Sequence, residues 1–169
     1  MSNNVYTLRN EDFIYNIDVI CPKCKTKAIV LGGQPYIHIS EYESEIFFSC
    51  KACGFALKYS NTPNITVYTN SQGKDITTRI LFPNNPVDPF FGYEVWFCIE
   101  TKYGVLWAYN IEHLTVIENY IAETLRSRNG IPYKNNSIGS RLPQWVKDSK
   151  NRDYLLKLIT KMKVFWQQK

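Results

Sequence analysis

Two Cys-x-x-Cys pairs constrain this chain more than any other feature. Cys21-Pro-Lys-Cys24 and Cys50-Lys-Ala-Cys53 are separated by 25 residues. Two residues between thiols let the backbone turn so that both sulfurs face one point and amide N–H groups can donate to them. Two such knuckles brought together offer four soft ligands in a tetrahedron, the arrangement zinc prefers at about 2.3 Å. The expected cofactor is therefore a structural Zn2+ held by Cys21, Cys24, Cys50 and Cys53. A closed four-thiolate site has no open coordination position, so its metal serves folding rather than catalysis. The alternatives are iron and a redox dithiol, but neither pair has the strand-before, helix-after setting of a thioredoxin-like site. Gly54 directly follows the second pair, where a knuckle often needs a left-handed residue. Cys98 lies in the β-prone apolar stretch Val95-Trp-Phe-Cys-Ile99 and reads as a buried, inert thiol.

The chain has 169 residues, with 44% hydrophobic and 15% aromatic. That is enough to bury a core of its own. No apolar run approaches the length of a membrane span, and the polar N-terminus has no signal-peptide pattern, so the expected location is the cytoplasm with no membrane partner. The net charge of +5 is unevenly placed. Residues 1–60 are neutral, residues 61–119 are acidic by three charges, and residues 120–169 carry eleven basic and three acidic side chains. A zinc tetrathiolate would add about −2, so only the C-terminal third can form a basic patch.

Turn signals and residue periodicity predict an α+β fold in three parts. Residues 1–60 hold an N-terminal segment and a four-cysteine ribbon, with strands over 27–31, 36–40 and 45–49. His38 is expected on the solvent side of the middle strand, and Glu41, Glu43 and Glu45 along one exposed strand face. Residues 61–87 form a hairpin (strands 65–69 and 76–82) and a linker. Residues 88–169 begin with a hairpin over 94–100 and 105–109. Asn110 then caps a helix carrying Leu114, Ile117, Ile121 and Leu125 on one face, ending at Arg126-Ser-Arg128. Pro143 opens a short helix, and Asn151 is the expected cap of a final one with Leu155, Leu158, Ile159, Met162 and Phe165 on its apolar side.

Further strings carry a family resemblance. They are Asp88-Pro-Phe-Phe-Gly92, Leu106-Trp-Ala-Tyr-Asn110, Glu112-His-Leu114, Leu125-Arg-Ser-Arg128, Arg141-Leu-Pro-Gln-Trp145 and Lys150-Asn-Arg152. Together with the two knuckles they resemble a family of small bacterial transcription-factor-IIB-type zinc-ribbon proteins, some labelled after the primosomal replication-restart helicase. The resemblance runs over most of the chain from Cys21 onward. It implies a zinc ribbon joined to a small α/β domain, and no defined activity. The helicase label reflects the knuckles, because a GxxxxGK[ST] loop and the length of a motor domain are both lacking.

For function, arginines near aromatics are what a phosphate- or base-stacking surface needs, and also what an arginine-anchored protein interface uses. Arg126, Arg128, Arg141, Trp145 and Arg152 are the candidates, with helix capping and core packing as the structural alternative. The two open partners are thus a nucleic acid and a protein, the latter in an adaptor or in an immunity or inhibitor protein. Catalysis is not expected. Only two histidines occur, with no HExxH or GxSxG, and Asp88, Glu94 and Glu112 are scattered in sequence.

Overall fold

The computed structural model describes residues 4–124, 130–132 and 135–167. Ile17 and Val19 alternate along β1 (Asn16–Ile20) and are fully buried. β1 runs antiparallel to β2 (Lys27–Leu31), with Asn16 opposite Leu31 and Ile20 opposite Lys27. β2 in turn pairs with β3 (Phe47–Ser49), and β3 with β4 (Ala56–Lys58). The four strands form one antiparallel sheet in chain order. Ile29 lies opposite Ser49, so the turn after β1 and the turn after β3 emerge at the same end of the sheet. Those turns hold the two cysteine pairs.

The other edge of β1 is also paired. Asp18 N–H donates to the Tyr109 carbonyl and Trp96 N–H to the Asp18 carbonyl, each at 2.8 Å, and Val19 bridges Val95. The ribbon and the C-terminal half are thus hydrogen-bonded along one strand, and their apolar residues form one continuous core. This explains why β1 is buried on both faces, Asp18 included.

β5 (Ile65–Thr69) and β6 (Asp75–Thr78) form a separate two-stranded arm with a bulge at Thr66/Tyr68. Asn70 Oδ1 closes its turn by accepting from the Gln72 and Lys74 amides. At the arm's base, Arg79 donates to Glu43 and to the Ser60 and Thr62 carbonyls. β7 (Phe97–Thr101) and β8 (Gly104–Ala108) form the third hairpin. α1 (Ile111–Ala122) follows, capped by Asn110 as expected: its Oδ1 accepts from His113 N–H at 2.9 Å. The cap's Nδ2 donates to the Phe13 and Asn16 carbonyls, which ties the helix start to the N-terminal segment. Two four-residue helices, α2 (Ile138–Arg141) and α3 (Gln144–Lys147), lead to α4 (Arg152–Gln167). α4 packs on α1 through Leu155, Ile159 and Met162.

Several local expectations are corrected. Residues 36–40 form no strand. Tyr36 adopts a left-handed conformation (φ 64°) directly after Pro35, and its hydroxyl donates to Asp12 at 2.8 Å. His38 caps a short 3-10 turn, Ile39–Glu41, rather than standing on a sheet face. The three glutamates consequently part company: Glu43 pairs with Arg79, while Glu45 accepts from Gln34. Asn151 lies in the 3-10 turn Ser149–Asn151 before α4, and its amide donates to the Trp145 carbonyl at 2.9 Å. β6 and β7 cover only part of the stretches expected for them.

Candidate functional site

The knuckles are near-copies of each other. In the first, Lys25 N–H donates to the Cys21 carbonyl and Cys21 N–H to the Thr26 carbonyl. In the second, Gly54 N–H donates to the Cys50 carbonyl and Cys50 N–H to the Phe55 carbonyl. The residue after each second cysteine is left-handed, Lys25 at φ 61° and Gly54 at φ 71°. A glycine takes this conformation freely; at Lys25 the same turn is held against its side chain's preference.

The geometry brings the four sulfurs together. All lie within 4.8 Å of one another. Cys21 Sγ is 3.7 Å from Cys53 Sγ, and Cys24 Sγ is 3.5 Å from Cys50 Sγ. Four sulfurs at about 2.3 Å around a tetrahedral zinc would stand about 3.8 Å apart. The donor set and its spacing therefore fit a structural zinc site, held between β hairpins in a zinc-ribbon-like module. Electrostatics agree. Burial raises the Cys50 thiol, but amide, hydroxyl and thiol donors around it outweigh that and bring it down to about 6. Cys53 accepts an amide hydrogen bond that lowers it, yet burial and the three neighbouring thiols push it up to about 12. Four crowded thiols do not all ionise without a cation among them.

Comparison with protein-family models, with curated proteins and with solved structures yields no match. The cysteine geometry supports a zinc-ribbon-like module and nothing narrower.

The other candidates are dispersed. Arg126 and Arg128 lie outside the described residues. Arg152 is half-buried, and its guanidinium donates to the Ile121 and Glu123 carbonyls at the end of α1. That is the helix-capping role the sequence allowed, and it engages the guanidinium's donors. Arg141 is exposed and borders a cavity. Trp145 is half-buried beside Gly104, stacked on Tyr103 with ring centroids 6.1 Å apart. Tyr154 meets Tyr103 edge-on at 6.2 Å, and the Lys102 ammonium lies 4.9 Å and 5.5 Å from the Tyr103 and Tyr154 rings. Sequence reasoning missed Lys102, Tyr103 and Tyr154 because they are far from Trp145 along the chain. The short turn between two β-prone runs was the only available signal.

Two buried polar residues complete the picture. Asp88 is fully buried, and its Oδ1 accepts from the Phe90 and Phe91 amides while Oδ2 accepts from Tyr93. His113 is stacked on Phe13 and accepts the Tyr109 N–H through Nδ1. Burial lowers His113 to about 3. Its folded value therefore lies below the unfolded value of about 6.5, so the stability it contributes is complete above that pH and is lost as pH falls toward 3. Asp88 works in the opposite sense between about pH 4 and 6, because burial raises it to about 6 despite its three amide donors. A His113→Gln variant isolates the histidine. Between pH 7 and pH 5, wild type is expected to lose about 2 kcal/mol relative to that variant. Chemical denaturation at both pH values measures this, and equal pH dependence would contradict it.

Proposed function

We propose that this protein is a zinc-stabilised, non-catalytic module that binds single-stranded nucleic acid, with a binding face made by the β7–β8 turn and the C-terminal third. One observation carries the reading: the ring array of Tyr103, Trp145 and Tyr154, with Lys102 set against two of its members. Tyr103 is 42% exposed, so its ring is available to a base. Residues 120–169, which contribute Trp145 and Tyr154, carry eleven basic and three acidic side chains. Stacking rings flanked by cations suit unpaired bases and their phosphates, and every base offers a ring face. Asp88 and His113, both buried, accept from backbone amides, which favours a binding role over acid–base chemistry.

Fluorescence anisotropy of zinc-loaded protein with labelled single- and double-stranded DNA and RNA tests the proposal. Single strands should bind, and for about three neutralised phosphates the logarithm of affinity should fall with that of salt at a slope of about −2. Tyr103→Ala should weaken binding about tenfold, as loss of one stacking ring does. Absence of binding at low salt, or binding indifferent to Tyr103, would overturn it. A protein partner is the second reading, favoured by the β5–β6 arm, where Val67 and Tyr68 are each 58% exposed.

A further inference from the structure

A cavity of about 340 Å3 opens between the N-terminal segment, β8, α1 and α2. Its size is at the lower end for small-molecule sites. Leu106, Trp107, Ile117, Ile138, Leu142 and Pro143 give it an apolar portion, and polar surface lines it in nearly equal measure. Among the described residues its polar side chains are those of Asn10, Asn84, His113 and Arg141.

His113 borders the cavity and is only 2% exposed. The Tyr109 N–H donates to its Nδ1 at 3.3 Å, so Nδ1 carries no proton and the neutral ring holds its proton on Nε2. Nε2 has no protein hydrogen-bond partner among the described residues, so its N–H is free to donate to whatever occupies the space. Asn10 Nδ2 donates to Asn84 Oδ1 at 3.0 Å, so the Asn84 acceptor is engaged while its own amide hydrogens remain available. Arg141 adds a guanidinium at the rim. Among the described residues the cavity therefore presents the free donors of His113 and Asn84, one positive charge from Arg141, which also donates to Asn136 Oδ1 at 3.3 Å, and a partly apolar wall.

We propose that this cavity binds a small monocarboxylate with an apolar body, such as an aryl or branched aliphatic acid. The carboxylate is the acceptor that His113 Nε2–H and the Asn84 amide lack, and it matches the one charge of Arg141. A phosphate dianion would call for more cations than the described lining residues hold, and a neutral hydrocarbon would offer the histidine donor no acceptor. The ring of Trp107 and the aliphatic walls take up the apolar body.

The test is NMR titration of the zinc-loaded full chain with phenylacetate and isovalerate, each against its neutral amide, and with a nucleoside monophosphate as the competing class. The acids should bind at least tenfold more tightly than the amides and shift the His113 ring protons. Arg141→Gln, at an exposed position, should reduce acid affinity about tenfold and leave amide affinity unchanged. Val105→Trp, on the exposed rim, should block binding while the melting temperature stays near wild type. Equal binding of acids and amides would overturn the proposal. So would preference for the nucleotide, no binding by any probe, or binding that leaves the His113 ring unshifted.

Discussion

Cys50→Ser is expected to release the metal and destabilise the chain by about 5 kcal/mol or more, on the scale of a small domain's whole stability. The ribbon end has little else to hold it. β3 and β4 are three residues each, and β4 has no buried residue. A hairpin this short is weakly held by its own ladder, and the four sulfurs are what meet where its turn lies beside the turn of the β1–β2 hairpin. Serine preserves the shape but is a poor zinc ligand, so the other three thiolates would lose a shared cation. The loss should spread into the core, because Phe48 of β3 packs against Phe55, Phe91 and Tyr93. Zinc content and urea denaturation of the variant measure the effect. Unchanged metal and melting would contradict it.

Asp88→Ala is the second large effect, expected at about 3–6 kcal/mol. It leaves three amide donors, those of Phe90, Phe91 and Tyr93, without their acceptor in or beside the core, at about 1–3 kcal/mol for each group left unpaired. The loop they belong to presses Phe90 and Phe91 on Tyr59, and Phe91 and Tyr93 on Phe48. Its shape thus decides how the ribbon meets the rest of the chain. Asp88→Asn should cost less than alanine, since one oxygen still accepts while the new amide faces the Tyr93 or Phe90–Phe91 donors. A ranking with asparagine as damaging as alanine would argue against the hydrogen-bond account. Denaturation midpoints of the two variants decide it.

The features legible in the sequence were those whose cause is local. Cysteine spacing sets the knuckle, and Gly54 its left-handed turn. Asn110 caps α1 because an N-cap needs only its own side chain and the amides of the next turn. Where tertiary partners decide, local reading failed. Residues 36–40 alternate like a strand, but the Tyr36 hydroxyl is held by Asp12, and Pro35 and a left-handed Tyr36 turn the chain away. Asp88 is fully buried, in a loop whose Phe90, Phe91 and Tyr93 pack on Phe48 and Tyr59 from distant segments, which nothing in its local sequence foretells. The His113 and Trp107 rings meet edge-on at 5.9 Å across the strand–helix junction. The cavity on which they border also needs Asn10, Asn84 and Arg141, from distant segments. Arg152 looked the same in sequence as Arg141, but only one of them has its donors taken up by the end of a helix. No helix among the described residues is long and apolar enough to cross a membrane.

The central claim is that the four cysteines share one structural zinc ion. Cobalt substitution tests it most directly: the metal-free chain is titrated with Co2+ while visible absorption and folding are followed together. The account predicts saturation at a single ion per chain, intense visible bands of a tetrahedral tetrathiolate site, recovery of structure in step with those bands, and displacement by zinc. A chain that folds without metal and shows no thiolate-to-cobalt absorption, with Cys21, Cys24, Cys50 and Cys53 alkylated equally fast with and without zinc, would contradict it.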